Sequence, residues 1–498
     1  MPLRPHQVEP AEQLLTLLQK HDSVVDWSDG GVGKTYVGAW VASQLKLPAL
    51  IVGPKISKTA WDLAAETFND KFSFCNYELL RTGNQKFGTW TEYRAAREYF
   101  QCENCQCKVD FARFVPCYCH PAGIHCLVTK KISAHYGSFV FNPAVRLVIF
   151  DESQRFNGID SLNCELGLAA KRQGIKTLCL SATPASSPLD MRALGYLLDL
   201  HNDSTDELVQ TKFGAAMRRP SFKRWLAKQE VRFDVHTRGL KWFASKSRQL
   251  EIMKSIRDQI IPARGVRVTV ASIPGFPTCQ IDAELYDLDK PEEMDRAYGI
   301  MREAVETLKQ HASENDKSPD HPLTKILRAQ QTVELLKVPV MTELGETYAD
   351  RGLSVVFFVN YRQTIEELLK KFPGAGIIDG TTIKTREKTL AAFQSNHLRK
   401  LIVNSKAGGV SMSLHDLHGG HPRAGIASPC FSAETMRQLF FRLPRESGKS
   451  HSFYKVLFAA GTIEKKIWSA VRGKLNNLDA LMTLTDSDWC PDNLPLNR

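Results

Sequence analysis

Seven short runs of apolar, largely β-branched residues punctuate the 498-residue chain, at 49–53, 146–150, 177–180, 354–359, 401–404, 425–428 and 452–458. Each is too short for a helix, and each is apolar at successive positions. A strand of that kind buries both faces, as a parallel sheet covered by helices requires. Helix-like stretches at 35–44, 364–371 and 386–394 lie between the runs. The alternation predicts open α/β sheets with helices on both faces. The runs form two groups, one before residue 185 and one after 350, so two lobes are expected. Between them the chain is first basic and then helix-rich, at 292–310 and 325–348. Ile273-Pro274-Gly275-Phe276-Pro277 reads as a hinge. There is no internal repeat and no long low-complexity tract.

Charge is concentrated. The chain carries 65 Lys+Arg against 54 Asp+Glu, a formal net charge of +11. Residues 211–270 alone hold fifteen Lys/Arg and four Asp/Glu, which matches the whole excess. Phe213, Phe222, Trp225, Phe233, Trp242 and Phe243 are interleaved there. Cations neutralise phosphates and flat rings stack on bases, so this window is the expected nucleic-acid contact, with Arg218, Arg219, Lys223 and Arg224 at its centre. The alternative is a solvated helical face whose aromatics are core. No 18-residue apolar run exists, which argues against a membrane span, and the N-terminus has no apolar signal core. The expected location is cytoplasmic and not secreted.

Cysteines are local as well. Six of the twelve fall between 102 and 126. Without a secretory signal, clustered Cys point to metal more than to disulfides. Cys102 and Cys105 have knuckle spacing; Cys117 with His120, or Cys119 with Cys126, could complete a tetrahedral zinc site. An iron–sulfur cluster needs the same thiolates, and free thiols are the third alternative. The pool has more candidates than one site needs.

Asp29-Gly30-Gly31-Val32-Gly33-Lys34-Thr35 follows an apolar stretch and opens a helix, the setting of a phosphate-binding loop. Glycines let backbone N–H groups approach phosphates, and the helix N-terminus favours negative charge. Lys34 is expected to reach the β/γ-phosphates of ATP and Thr35 to ligate Mg2+. The strict pattern has Gly where Ser28 stands. The 146–150 run ends in Asp151-Glu152-Ser153-Gln154, which puts paired carboxylates at the carboxyl edge of the sheet, beside that loop. Asp151 suits the Mg2+ shell and Glu152 suits orientation of the attacking water. Ser181-Ala182-Thr183-Pro184 follows the 177–180 run, where small hydroxyls could bond those carboxylates.

In this order the segments resemble superfamily 2 helicases and translocases, over roughly 3–59, 148–184 and 354–474. Leu3-Arg4-Pro5-His6-Gln7 resembles the adenine-reading segment, with Gln7 as reader. Asp29–Thr35 resembles motif I, Val52-Gly53-Pro54 with Ala60-Trp61 motif Ia, Asp151–Gln154 motif II and Ser181–Thr183 motif III. The 380–393 segment with Arg386 resembles the stretch before motif V. Residues 407–414, with Gly409, resemble motif V. Gln438-Leu439-Phe440-Phe441-Arg442-Leu443-Pro444-Arg445 resembles motif VI. The resemblance implies two RecA-like lobes and an ATP site between them. In it, Arg442 and Arg445 act as arginine fingers, Gln438 faces the nucleotide, and Ser181, Ala182, Thr183 and Gly409 couple ATP state to nucleic-acid grip. The Asp-x-Gly-x-Gly-Lys-Thr form and Gly461-Thr462-Ile463-Glu464 are similar to the chromatin-remodeller-like branch. The 413–416 and 421–423 runs and 476–485 are similar to virus- and phage-encoded forms.

Two departures stand out: Phe441 where motif VI has Gly, and Ser411 where motif V often has Gly. Both are expected to alter how the second lobe packs and closes. The expected organisation is a first lobe over 1–200 with the Cys-rich insertion at 102–126, a basic connector over 201–272, and a second lobe over 273–498 with a helical segment at 288–350. The expected activity is ATP-dependent translocation on duplex or branched DNA in replication, recombination or repair, alongside proteins of those processes. An RNA helicase or the motor subunit of a restriction or defence complex is the alternative.

Overall fold

The computed structural model describes residues 3–83, 86–92, 97–102, 108–109, 128–133, 136–203, 207–210, 216–234, 239–310, 322–382, 385–405, 412–429, 433–460 and 464. Two six-stranded sheets organise them, and every strand pair within both is parallel.

The first sheet contains β1 (Ser23–Asp26), β2 (Ala49–Gly53), β3 (Ser73–Asn76), β4 (Leu147–Asp151), β5 (Lys176–Leu180) and β6 (Gly265–Val266), in the order β6-β1-β5-β4-β2-β3. Its continuous apolar runs divide between two cores. On β4, Leu147 and Ile149 join Val24, Ile51 and Leu178 on one face. Val148 and Phe150 join Val25, Leu50 and Val52 on the other. This two-sided burial is why the runs read as strands without alternation.

The second sheet contains β7 (Cys279–Tyr286), β8 (Ser354–Val359), β9 (Gly376–Ile378), β10 (Lys400–Asn404), β11 (Arg423–Ala427) and β12 (Ser452–Ala459), in the order β7-β12-β11-β8-β10-β9. Val356 and Phe358 face one core and Val355, Phe357 and Val359 the other. The helix-rich stretch forms three helices, Pro291–Gln310, Pro322–Leu335 and Val338–Asp350. The helix-rich stretch at 325–348 divides between two helices because Pro339, in the first turn of the third, has no N–H to donate and its ring would meet the carbonyl four residues back.

The described part of the basic segment is built into the first lobe. Helix Lys246–Ile260 buries Ile252, Met253, Ile256 and Ile260 in the core that holds Val148 and Phe150, and the chain then adds β6 beside β1. Phe222 and Trp225 are core too, packed on His201 at ring-centroid distances of 4.7 and 5.3 Å. For these two rings the stacking expectation is therefore replaced by a packing role. Phe233 and Phe243 are exposed.

The 413–416 and 421–423 runs have a structural role centred on Asp416, which is 1% exposed. Its carboxylate accepts from Asn396 Nδ2 (2.9 Å), Ser450 Oγ (2.7 Å) and the backbone N–H groups of His418, Gly419 and His421. Burial alone would raise its pKa, but these donors hold the carboxyl well below the usual range. A depressed carboxyl stabilises the fold above its unfolded pKa of about 3.9 and loses that contribution as pH falls through the lower folded value. Asp416→Ala is expected to destabilise the second lobe by about 3–5 kcal/mol at pH 7. The gap to wild type should narrow below pH about 4. Urea unfolding at the two pH values checks both.

A buried ion pair secures the helical segment to β12. Lys337 Nζ lies 2.7 Å from Glu464 Oε1, which also accepts from Tyr298 Oη at 2.7 Å, while Ala459 N donates to Glu464 Oε2. Among the described residues, no helix is long and apolar enough to cross a membrane.

Candidate active site in the interlobe cleft

The carboxyl ends of β1 and β4 face the second lobe across a cleft of about 250 Å³. From the first lobe it is lined by Gly30, Gly31, Gly33, Lys34, Thr35, Asp151, Glu152 and Ala182, and from the second by Gln438, Phe441, Arg442 and Arg445. Residues spread over most of the chain thus meet at one place.

The phosphate loop is pinned on both sides. Gly31 and Gly33 have φ of 87° and 91°, which only glycine adopts without strain. The Gln7 amide lies against Gly33, where it donates to Val32 O (2.9 Å) and accepts from Arg4 N (3.0 Å). Ser28 answers for its departure from the strict pattern, since its hydroxyl accepts from Val268 N at 2.9 Å and ties the loop to the segment after β6. Asp29 is 4% exposed. It accepts from Val270 N (2.9 Å) and Arg267 Nη2 (3.2 Å), and Arg437 Nη2 of the second lobe lies 3.7 Å away. One buried carboxylate therefore joins the phosphate loop, the linker and the motif VI helix. Arg267 and Arg437 carried no local motif signal.

Phe441 also has a structural reason. A Cβ on Gly30 would fall 2.5 Å from Phe441 Cβ, so the ring of the second lobe sits in the space that Gly30 leaves. The glycine at 30 and the departure at 441 are complementary. Arg4 and His6 meet Glu446 across the same boundary.

Lys34 Nζ donates to Ser28 O (2.8 Å) and Asp29 O (2.9 Å). Burial lowers its pKa, opposed by Asp26 and then Glu152, Asp29 and Asp151. Burial pushes the Asp151 carboxyl up to about 6, and the adjacent Glu152 adds to this; Trp61, which donates from Nε1 at 3.0 Å, and Ser57 pull it down. That gives Trp61, in the motif Ia-like stretch, a definite contact. Two carboxyl groups beside Thr35 form a donor set of oxygen ligands suited to Mg2+. A bound Mg2+ would neutralise phosphate charge; Thr35 and Asp151 are the residues that would hold it.

Glu152 takes a left-handed backbone, φ 57°, unusual for a residue with a Cβ. Its Oε2 accepts from Gln154 Nε2 at 2.6 Å, Gln154 Oε1 accepts from Ser181 Oγ at 2.6 Å, and Ser181 Oγ accepts from Thr183 N at 2.9 Å. A continuous chain of hydrogen bonds runs from the Glu152 carboxylate to the turn after β5. Arg445 is oriented by Ser413 Oγ (3.0 Å) and Met412 O (3.3 Å), and its guanidinium reaches Gly31. Burial lowers both Arg442 and Arg445 to about 10, so both stay charged at neutral pH.

Lys223 and Arg224 are not among the residues that line the cleft. They are exposed on helix Phe222–Lys228, remote in sequence from the cleft motifs. Arg218 and Arg219 lie on strand Ala216–Arg219; their side chains, like Gly409, fall outside the described residues. So do Cys105, Cys117, Cys119, His120, Cys126 and the side chain of Cys102, which ends strand Arg97–Cys102. Among the described residues no group of three or more His, Cys, Asp or Glu could hold a metal ion.

No family model matches the chain. A mimivirus protein from Acanthamoeba polyphaga mimivirus, named "Putative ATP-dependent RNA helicase L364", is 28% identical over 496 residues, 96% of this chain and 83% of its own length. Among solved structures, the Sulfolobus solfataricus SWI2/SNF2 ATPase core in complex with dsDNA aligns with 97% of this chain and 98% of its own, at 14% identity and a TM-score of 0.34. S. cerevisiae Dbp5 bound to RNA and ADP BeF3 aligns with 96% of this chain and 92% of its own, at 10% identity and a TM-score of 0.47. The ordered motifs meet in one cleft, and the similarity to a viral relative runs nearly end to end; on both grounds this chain is a nucleic-acid-dependent ATPase that resembles the viral-type helicases of superfamily 2.

Proposed function

We propose that this chain is an ATP-driven translocase acting on duplex or branched DNA, in replication, recombination or repair. The observation that carries it is the hydrogen-bonded chain Glu152–Gln154–Ser181–Thr183. It gives the hydrolytic carboxylate a physical connection to a turn outside the phosphate site. ATP binds between Lys34 and Thr35 on one lobe and Arg442 and Arg445 on the other. Gln7 and Gln438 border the nucleotide, Glu152 orients water, and lobe closure completes the charge array. Opening after hydrolysis releases the array, and repeated closure becomes movement along the strand.

Arg218, Arg219, Lys223 and Arg224 supply phosphate contacts in this reading. The Cys102–Cys126 pool holds a structural zinc ion. The second reading, an RNA helicase, is favoured by the printed name of the mimivirus relative.

The test is ATPase stimulation and ATP-dependent processing across duplex, forked, four-way and flapped DNA and RNA of equal length. Stimulation by duplex or branched DNA over RNA is expected; preference for RNA moves the assignment to the second reading. Replacing Arg218, Arg219, Lys223 and Arg224 by Gln should weaken DNA binding and flatten its salt dependence by up to about 0.9 per lost phosphate contact, with basal ATPase intact. An unchanged salt slope would assign these cations to a solvated surface.

A further inference from the structure

Strands Val231–Asp234 and Gly239–Trp242 pair antiparallel, with Val231 opposite Trp242, Arg232 opposite Lys241 and Phe233 opposite Leu240. The Val231–Trp242 pair anchors the hairpin. Val231 is 3% exposed in the first-lobe core, Trp242 packs against that core, and Trp242 Nε1 donates to Gln229 O at 2.9 Å. Side chains two residues apart share a face, so Phe233 and Leu240 continue the anchored face outward. There the core ends: Phe233 is 61% and Leu240 40% exposed.

The opposite face is cationic. Arg232 and Lys241 are exposed and directly opposed, an arrangement that destabilises a strand pair unless negative charge is near. Asp234 supplies part of it, 3.4 Å from Lys241. Lys241 Nζ also lies 5.5 Å from the ring centroid of Phe243, which is 52% exposed. Lys246, just beyond, is exposed as well. A large ring and an aliphatic partner on one face, with a cation pair and a second ring on the other, match a polymer that carries flat apolar groups on an anionic backbone.

We propose that this hairpin is a single-strand nucleic-acid contact, with Phe233 stacking on an unpaired base and Arg232 and Lys241 holding the adjoining phosphates. It rests on the nucleic-acid motor reading and adds a site for the separated strand, distinct from the phosphate contacts assigned above to Arg218–Arg224. A double helix hides its base faces, so the ring has a partner only where a strand is open.

The test uses the full chain and anisotropy of a fluorescein-labelled single strand, the same length of abasic strand, and a blunt duplex. Phe233→Ala should weaken single-strand binding roughly 5- to 100-fold, leave abasic and duplex binding unchanged, and be rescued by Phe233→Trp. Arg232→Gln with Lys241→Gln should weaken both single strands and lower the salt slope by about 1.4. Basal ATPase and thermal midpoint should match wild type in all of these, because the side chains are exposed. Wild-type affinity in Phe233→Ala, or an equal loss on the abasic strand, overturns the proposal. So does unchanged strand affinity with a lower sedimentation mass, which would make the face a self-association surface. Failure of every nucleic acid to stimulate wild-type ATPase would instead remove the motor reading, so the two failures are distinguishable.

Discussion

Arg445→Ala is expected to lower the turnover of ATP about 10³- to 10⁵-fold with nucleic acid present, and Arg442→Ala to act in the same range. In the transition state, charge spreads over the transferred phosphoryl oxygens, and a guanidinium held beside them gains most where water is excluded. Both residues satisfy that condition. They line the cleft opposite Lys34, and both remain cationic despite a pKa lowered to about 10. Arg445 is aimed by Ser413 Oγ and Met412 O, so its head group is organised before the nucleotide arrives. Arg445→Lys keeps the charge but not the fork, and should recover only part of the rate. Nucleotide affinity should change far less than turnover. Single-turnover hydrolysis at saturating ATP measures this; a rate within tenfold of wild type in both Ala variants would remove the finger role.

The route by which those arginines are positioned was much less legible in the sequence than the arginines themselves. Asp29 and Arg267 are 238 residues apart, and their contact arises only because the chain returns to the first sheet to form β6. Arg437 was equally silent, for the same reason of distance. The phosphate loop could be read because its chemistry restricts local backbone, with Gly31 and Gly33 at positive φ and Lys34 beginning the helix. Central strands could be read because both faces are apolar. The edge strands could not. β7 alternates, and its polar positions Asp282 and Glu284 pair with Lys455 of β12, while β3 and β9 are short and half-covered. Composition also located the basic aromatic window without saying which rings were core: Phe222 and Trp225 are buried, and Phe233 and Phe243 are not.

Lys34→Ala and Glu152→Gln should both abolish measurable steady-state hydrolysis, for different physical reasons that binding can separate. Lys34 is drawn to four carboxyls, Asp26, then Glu152, Asp29 and Asp151, each of which raises its pKa against the effect of burial. Removing it costs the phosphates their partner and leaves those carboxyls repelling a polyanion, so ATP affinity should fall together with turnover. Glu152→Gln removes one negative charge and the ability to take a proton. The amide oxygen of the new side chain can still accept from Gln154 Nε2, so the connection through Ser181 to Thr183 is kept. ATP should then bind at least as tightly while hydrolysis falls about 10²- to 10⁴-fold or more. Nucleic-acid binding should persist in both variants, and Glu152→Gln should hold ATP in the closed state that wild type passes through briefly. Fluorescent-nucleotide titration beside a phosphate-release assay reads the two quantities separately. Wild-type-like phosphate release by either variant would mean that this cleft, with its loop, carboxylates and arginines, is not where the chain hydrolyses ATP.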